Sequence, residues 1–145
     1  MSAPAPRPAE ALPYWQTSKI SPDTWIDKAK REISRAGGKV LAEGFGADAT
    51  GRSAFMLGFE IQGDRFRLTW PVTRSRSGLV ASERIQAATM LFYDVKSRCV
   101  ASRVLGSRVA FFSYLVLPDG RSAAELAVPD LAKAFPALLS RGGDE

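Results

Sequence analysis

Two alternating runs joined by a tight-turn signal constrain this chain more than any other feature. Ala54 to Gln62 places Phe55, Leu57, Phe59 and Ile61 on one face, and Arg65 to Val72 does the same with Phe66, Leu68 and Trp70. A period of two is the mark of a strand with one buried side, because successive side chains point to opposite faces. Gln62-Gly63-Asp64 lies between the runs and supplies residues that tolerate positive φ, so the two strands close as an antiparallel hairpin. The other face of the hairpin then carries Met56, Gly58, Glu60, Arg65, Arg67 and Thr69. A chain with this hairpin must cover one apolar sheet face with another layer.

The covering layer is legible on both sides of the hairpin. Ser21-Pro22-Asp23 is a helix start: a side-chain cap, a proline at the first turn and an acid at the positive dipole end. Ile26, Ala29, Ile33 and Ala36 follow at helical spacing, and Gly37-Gly38 ends the helix. Lys39 to Phe45 reads as a further strand. A long helix is expected from about Val80 to Leu105, with Ile85, Ala88, Phe92, Val95, Cys99 and Ser102 along one stripe and Gly106 closing it. At 1.5 Å per residue it would be roughly 39 Å long, enough to cross the sheet. Asp94 and Arg98, one turn apart, can pair.

The C-terminal third carries weaker signals. The apolar run Arg108 to Leu117 is expected to be a strand, Leu117-Pro118-Asp119-Gly120 a turn, and Arg121 to Ala127 an edge strand. Pro129 to Phe135 reads as a short helix broken by Pro136, with residues 141–145 frayed. The expected fold is therefore α+β, in the order α-β-β-β-α-β-(β)-α, with a mainly antiparallel sheet packed on one long central helix. Residues 1–20 read as a flexible Pro/Ala-rich leader, residues 21–140 as the single domain. Tyr14 and Trp15 are the leader's aromatics, with docking onto the chain's own core as their commoner use.

Composition limits function as well as fold. With 145 residues, 46% of them apolar, the chain has the bulk for one domain with its own core. It contains no histidine and one cysteine. The commonest general base and metal ligand is thus missing, which removes His-assisted serine or cysteine hydrolysis and the usual zinc sites. Gly44-Phe45-Gly46 lacks the third glycine and the following helix of a dinucleotide loop. No cofactor and no metal are expected. Met1 to Pro13 carries four prolines and no apolar core, unlike a signal peptide. No apolar run reaches the roughly 18 residues a bilayer demands. A cytoplasmic domain without a membrane partner is expected, and its single cysteine, Cys99, falls on the buried stripe as an inert core thiol.

The element order resembles the core of the PD-(D/E)xK nucleases. That resemblance implies an acid-x-Lys motif on the third strand, where this chain reads Arg65-Phe66-Arg67; the nearest acids are Asp48, Glu60 and Asp64. The α-β-β-β-α portion is also similar in order to double-stranded-RNA-binding domains, whose second helix begins with phosphate-contacting cations. The matching stretch is Arg74-Ser75-Arg76-Ser77 and then Arg84. The β-β-β-α core further resembles ring-forming single-strand annealing proteins, which hold a strand in a basic groove.

The charge distribution favours binding over catalysis. The formal net charge is +5. Five arginines (Arg65, Arg67, Arg74, Arg76 and Arg84) fall within 20 residues, with Arg74 and Arg76 on a loop expected to be flexible. Arginine contacts phosphate in a bidentate manner and stacks on bases. Lys28, Arg31 and Arg35 add a basic stripe on the first helix. Tyr93 and Tyr114 are the expected stacking aromatics. The expected function is a non-catalytic module that contacts the phosphate backbone of DNA or RNA, single-stranded or duplex. The alternative is a protein-interaction module, an adaptor, inhibitor or homo-oligomer, using an open sheet face or the edge at Arg121 to Ala127.

Overall fold

The computed structural model describes residues 7–47 and 51–127. It is an α+β arrangement. Helix α1 (Pro22–Arg35) leads into strands β1 (Lys39–Ala47), β2 (Ser53–Ile61) and β3 (Asp64–Pro71), and the long helix α2 (Val80–Leu105) follows. The sheet is antiparallel in the order β1-β2-β3. α1 and α2 pack against each other and over one sheet face. There Ile26, Ala29 and Ile33 of α1 meet Phe55, Leu57, Phe59, Phe66 and Leu68, and Ala88, Leu91, Val95 and Cys99 of α2.

Local chemistry explains these elements. Ser21 caps α1 by accepting from the Thr24 amide at 3.3 Å, with Pro22 in the first turn. Gly38 follows because a Cβ there would lie 2.8 Å from both Ile33 Cγ2 and Ile61 Cγ1, closer than carbon atoms approach. The hairpin turn sets Gln62 and Gly63 at φ 53° and 82°, the paired left-handed geometry that suits the twist of the strands. Phe59 opposes Phe66 and Leu57 opposes Leu68, so the alternation read in the sequence lies in register on the core face.

The run after α2 departs from expectation. Arg108 to Leu117 is not a continuous strand. Gly106, at φ 84°, stops α2, and the chain re-enters helix as α3 (Ser107–Ala110) and then a 3-10 turn at Phe112–Tyr114. Ser107, Ala110, Phe111 and Tyr114 are the buried residues, spaced as on one side of a helical turn, while Val109 and Phe112 are exposed. Their hydrophobicity fills the gaps in the helical pattern and makes it look like a buried strand. Backbone pairing with the sheet is one isolated bridge, Leu115 opposite Phe66, with the Val116 amide donating to the Arg65 carbonyl at 2.8 Å.

The expected edge strand Arg121 to Ala127 is likewise corrected. Ser122 alone bridges back, to Val116, and helix α4 (Ala123–Ala127) begins. Ser122-Ala123-Ala124-Glu125 is a capping box: the Glu125 carboxylate accepts from the Ser122 amide at 2.8 Å, and the Ser122 hydroxyl accepts from the Glu125 amide at 3.2 Å. The helix expected at Pro129 to Phe135 and the tail at 141–145 lie outside the described residues. No helix among the described residues is long and apolar enough to cross a membrane.

The sheet's second face is not open along β3. Met56 and Thr69, expected to face outward, are buried. Arg67 is 6% exposed and donates through Nε and Nη2 to the two Glu125 carboxylate oxygens, each at 2.7 Å, and again to the Gly120 carbonyl. The chain from Tyr114 to α4 therefore docks against this side of β3. Tyr114, expected as a stacking residue, is buried and donates to Asp94 at 2.8 Å, beneath the Asp94–Arg98 pair and the Arg98 guanidinium. Burial and the Asp94 charge push its phenol well above the usual range.

Candidate nucleic-acid interface

The end of the sheet where β2 begins and β3 finishes collects arginines from three chain segments. Past Pro71 the ladder continues for one step, with the Val72 amide donating to the Ser53 carbonyl at 2.8 Å. This brings Arg74 against the segment before β2: a Cβ on Gly51 would lie 3.6 Å from the Arg74 guanidinium. The third segment is N-terminal, where the Ala9 amide donates to the Arg74 carbonyl at 2.9 Å. Arg7, Arg52, Arg74 and Arg76 line one cleft of about 470 Å³, floored by Pro8, Val72, Thr73 and Ser75.

The loop bearing Arg74 and Arg76 is tied, not slack as its composition suggests. Glu83, buried on the first turn of α2, accepts from the Ser75 amide at 2.8 Å and from its hydroxyl at 2.6 Å. Glu10 accepts from the Arg76 amide at 2.8 Å and from the Ser77 amide and hydroxyl at 3.0 Å. Desolvation works to raise the Glu10 pKa, but these donors outweigh it and hold the carboxyl at about 2. Two acids thus fix the loop through its backbone and serines, and the exposed Arg74 and Arg76 side chains project from a rigid base.

The eight cations singled out in the sequence divide. Arg74 and Arg76 form the cleft together with Arg7 and Arg52, which the sequence reading passed over. Arg84 is exposed and lies elsewhere, its guanidinium 4.8 Å from the centre of the Phe45 ring. Arg65 is half-buried at the start of β3, opposite Glu60. Arg67 is structural: a buried guanidinium clamped by Glu125 is not offered to a phosphate. Lys28, Arg31 and Arg35 line a separate groove of about 230 Å³ with Glu32 and Phe92, and none of them borders the arginine cleft. Within that groove Arg35 pairs with Glu32 at 3.2 Å, and Lys28 Nζ lies 4.7 Å above the Trp25 ring.

Among the described residues, the cleft is lined by guanidinium groups, the Thr73 and Ser75 side chains and apolar Pro8 and Val72. Guanidinium stays charged across the working pH range and offers paired donors that match phosphate oxygens. Among the described residues, no group of three or more Cys, Asp or Glu side chains is placed to hold a metal ion. Asp64 is engaged by Arg108 at 2.8 and 3.0 Å, which lowers its pKa, and Asp48 lies outside the described residues. Cys99 is buried, and desolvation aided by Glu32 pushes its thiol up to about 11. Tyr93 is exposed as expected, but Tyr14 already stacks on it at 5.1 Å and 11°. No family model, curated protein or solved structure matches this chain.

Proposed function

We propose that this protein is a non-catalytic nucleic-acid-binding domain that holds the phosphate backbone in the cleft of Arg7, Arg52, Arg74 and Arg76. The observation that carries the reading is the convergence of four arginines from three chain segments on one concave surface. The exposed guanidinium groups of Arg7, Arg74 and Arg76 offer paired donors that match phosphate oxygens, and Arg52 lines the same wall. Arg84, beside the exposed Phe45 ring, is a further backbone or base contact at the start of α2. The test is fluorescence anisotropy with labelled single-stranded and duplex oligonucleotides over a salt series. Phosphate contacts from Arg7, Arg74 and Arg76 give a slope of log K against log salt of about −2.7 on duplex DNA or about −2.1 on a single strand. Binding that is absent, or present and indifferent to salt, rules the reading out.

A homo-oligomer is the second reading, favoured by one observation. Val100, Val104 and Leu105 on α2 and Val109 and Phe112 just beyond it are all more than half exposed. Apolar exposure concentrated at one end of the helical layer suits contact with a second copy. Light scattering coupled to size exclusion tests it: a dimer that Val104→Asp dissociates supports it, and a monomer at all concentrations removes it.

A further inference from the structure

We infer that residues 7–14 form a structural strap that builds the arginine cleft, that Arg7 is one of its phosphate-contacting residues, and that Gln86 positions it. This rests on the nucleic-acid reading above and says how the site is assembled. The N-terminal stretch has the composition of a flexible leader, yet from Ala9 to Tyr14 it is seated on the domain. A 3-10 turn at Ala9–Ala11 orients it, and Ala9 is fully buried.

Four contacts fix the strap. The Ala9 amide donates to the Arg74 carbonyl at 2.9 Å, so strap and arginine loop share a hydrogen bond. Glu10 receives the Arg76 and Ser77 amides. Tyr14 stacks on Tyr93 of α2. The fourth is Gln86, 1% exposed in the middle of the interface. Its Nε2 donates to the Ala9 and Pro13 carbonyls at 2.9 Å each, with the Leu12 carbonyl further off at 3.4 Å. A primary amide has two N–H donors, and here both are spent on the backbone of one segment. What Gln86 does is hold the 3-10 turn and the residues after it at one height above α2. Pro8, and with it Arg7, then falls on the cleft wall.

The test is a double-mutant cycle between Arg7 and Gln86, read on labelled oligothymidylate. Arg7→Ala in the wild-type background should weaken binding roughly tenfold, as loss of one charge-assisted contact does, and flatten the salt slope by about 0.7. Gln86→Met keeps the volume and removes the donors, and it should weaken binding by a similar factor. In the Gln86→Met background Arg7→Ala should then cost less than about twofold, because a released strap no longer presents Arg7. Hydrogen exchange at the Ala9 amide, protected in the wild type, should become fast. Glu10→Ala, an exterior change that leaves the core intact, should give the same pattern and covers the case in which Gln86→Met fails to fold. An Arg7→Ala cost that is equal in both backgrounds overturns the inference while leaving the nucleic-acid reading in place. A wild type that binds no oligonucleotide overturns that reading and this use of the strap together, even where Ala9 exchange responds.

Discussion

Removing one partner of the Arg67–Glu125 pair should destabilise the protein far more than removing both. Glu125→Leu leaves a guanidinium that is 6% exposed without its carboxylate, and it takes the acceptor from the Ser122 amide at the start of α4. Breaking a buried pair from one side costs about 3–5 kcal/mol, and the lost cap adds about 1 kcal/mol. The total is about 4–6 kcal/mol, roughly a quarter or more of the ~5–15 kcal/mol that holds an ordinary domain together. With an m-value of about 2 kcal/mol per molar, the urea midpoint should fall by roughly 2–3 M. Arg67→Met with Glu125→Leu removes both charges and fills the space with apolar atoms, and should recover most of the loss. Urea unfolding followed by circular dichroism measures the cycle. Exchange at the Val116 amide, bonded to the Arg65 carbonyl at 2.8 Å, shows whether the 115–127 segment undocks before the core unfolds. A Glu125→Leu cost under about 1 kcal/mol, or a double variant as unstable as the two losses added, refutes a desolvated pair. The double variant should also bind nucleic acid as the wild type does, because Arg67 faces Glu125 and not the cleft.

The cleft arginines should behave in the opposite way. Arg74→Ala with Arg76→Ala should leave the melting temperature within a few degrees of wild type and flatten the duplex salt slope by about 1.8, measured by anisotropy. Cys99 should resist a thiol reagent at pH 8 in the folded protein and react at once in urea, because its thiol sits at about 11. Glu10, depressed to about 2 from an ordinary 4.5, contributes stability that is fully present above about pH 4.5 and is lost as pH falls toward 2. Exchange of the Ala9 amide should quicken over that window in the wild type and show no such step in Glu10→Gln. Leu91→Ala, at a fully buried site on α2, should cost about 2–5 kcal/mol in urea unfolding.

The central fold was legible because its signals were redundant. Ser21-Pro22 and Gly37 mark both ends of α1, Gly106 marks the end of α2, and the alternation from Phe55 to Trp70 has one structural meaning. The C-terminal third failed where signals compete. Ser107, Ala110, Phe111 and Tyr114 are the buried side of this stretch, but Val109 and Phe112 between them are equally apolar, so no period stands out. The Ser122–Glu125 capping box stands in a run that was read only as a return strand. Arg67 shows a different limit. Strand alternation places it correctly on the second sheet face, but no local pattern announces that Glu125, far along the chain, comes down over that face. Arg7 and Arg52 were missed for a related reason: each is a lone cation in its own segment, and only the sheet end brings them to Arg74.

A basic loop read as flexible and a basic loop held rigid imply different binding behaviour. A slack Arg-Ser-Arg-Ser segment would lose conformational entropy on meeting a phosphate, and that loss would weaken binding. Here the ordering is achieved within the fold. Glu83 and Glu10 direct their carboxylates to the Ser75, Arg76 and Ser77 backbone and to serine hydroxyls. These two acids therefore stabilise the loop's shape, and the shape holds the Arg74 and Arg76 side chains at the cleft. The same loop also accepts the Ala9 amide that seats the strap. Loop, strap and the first turn of α2 thus form one hydrogen-bonded unit, so a change in any of the three should alter the cleft without touching an arginine. That is why Glu10 and Gln86, neither of which lines the cleft, are the substitutions that best separate a built binding site from a chance gathering of positive charge.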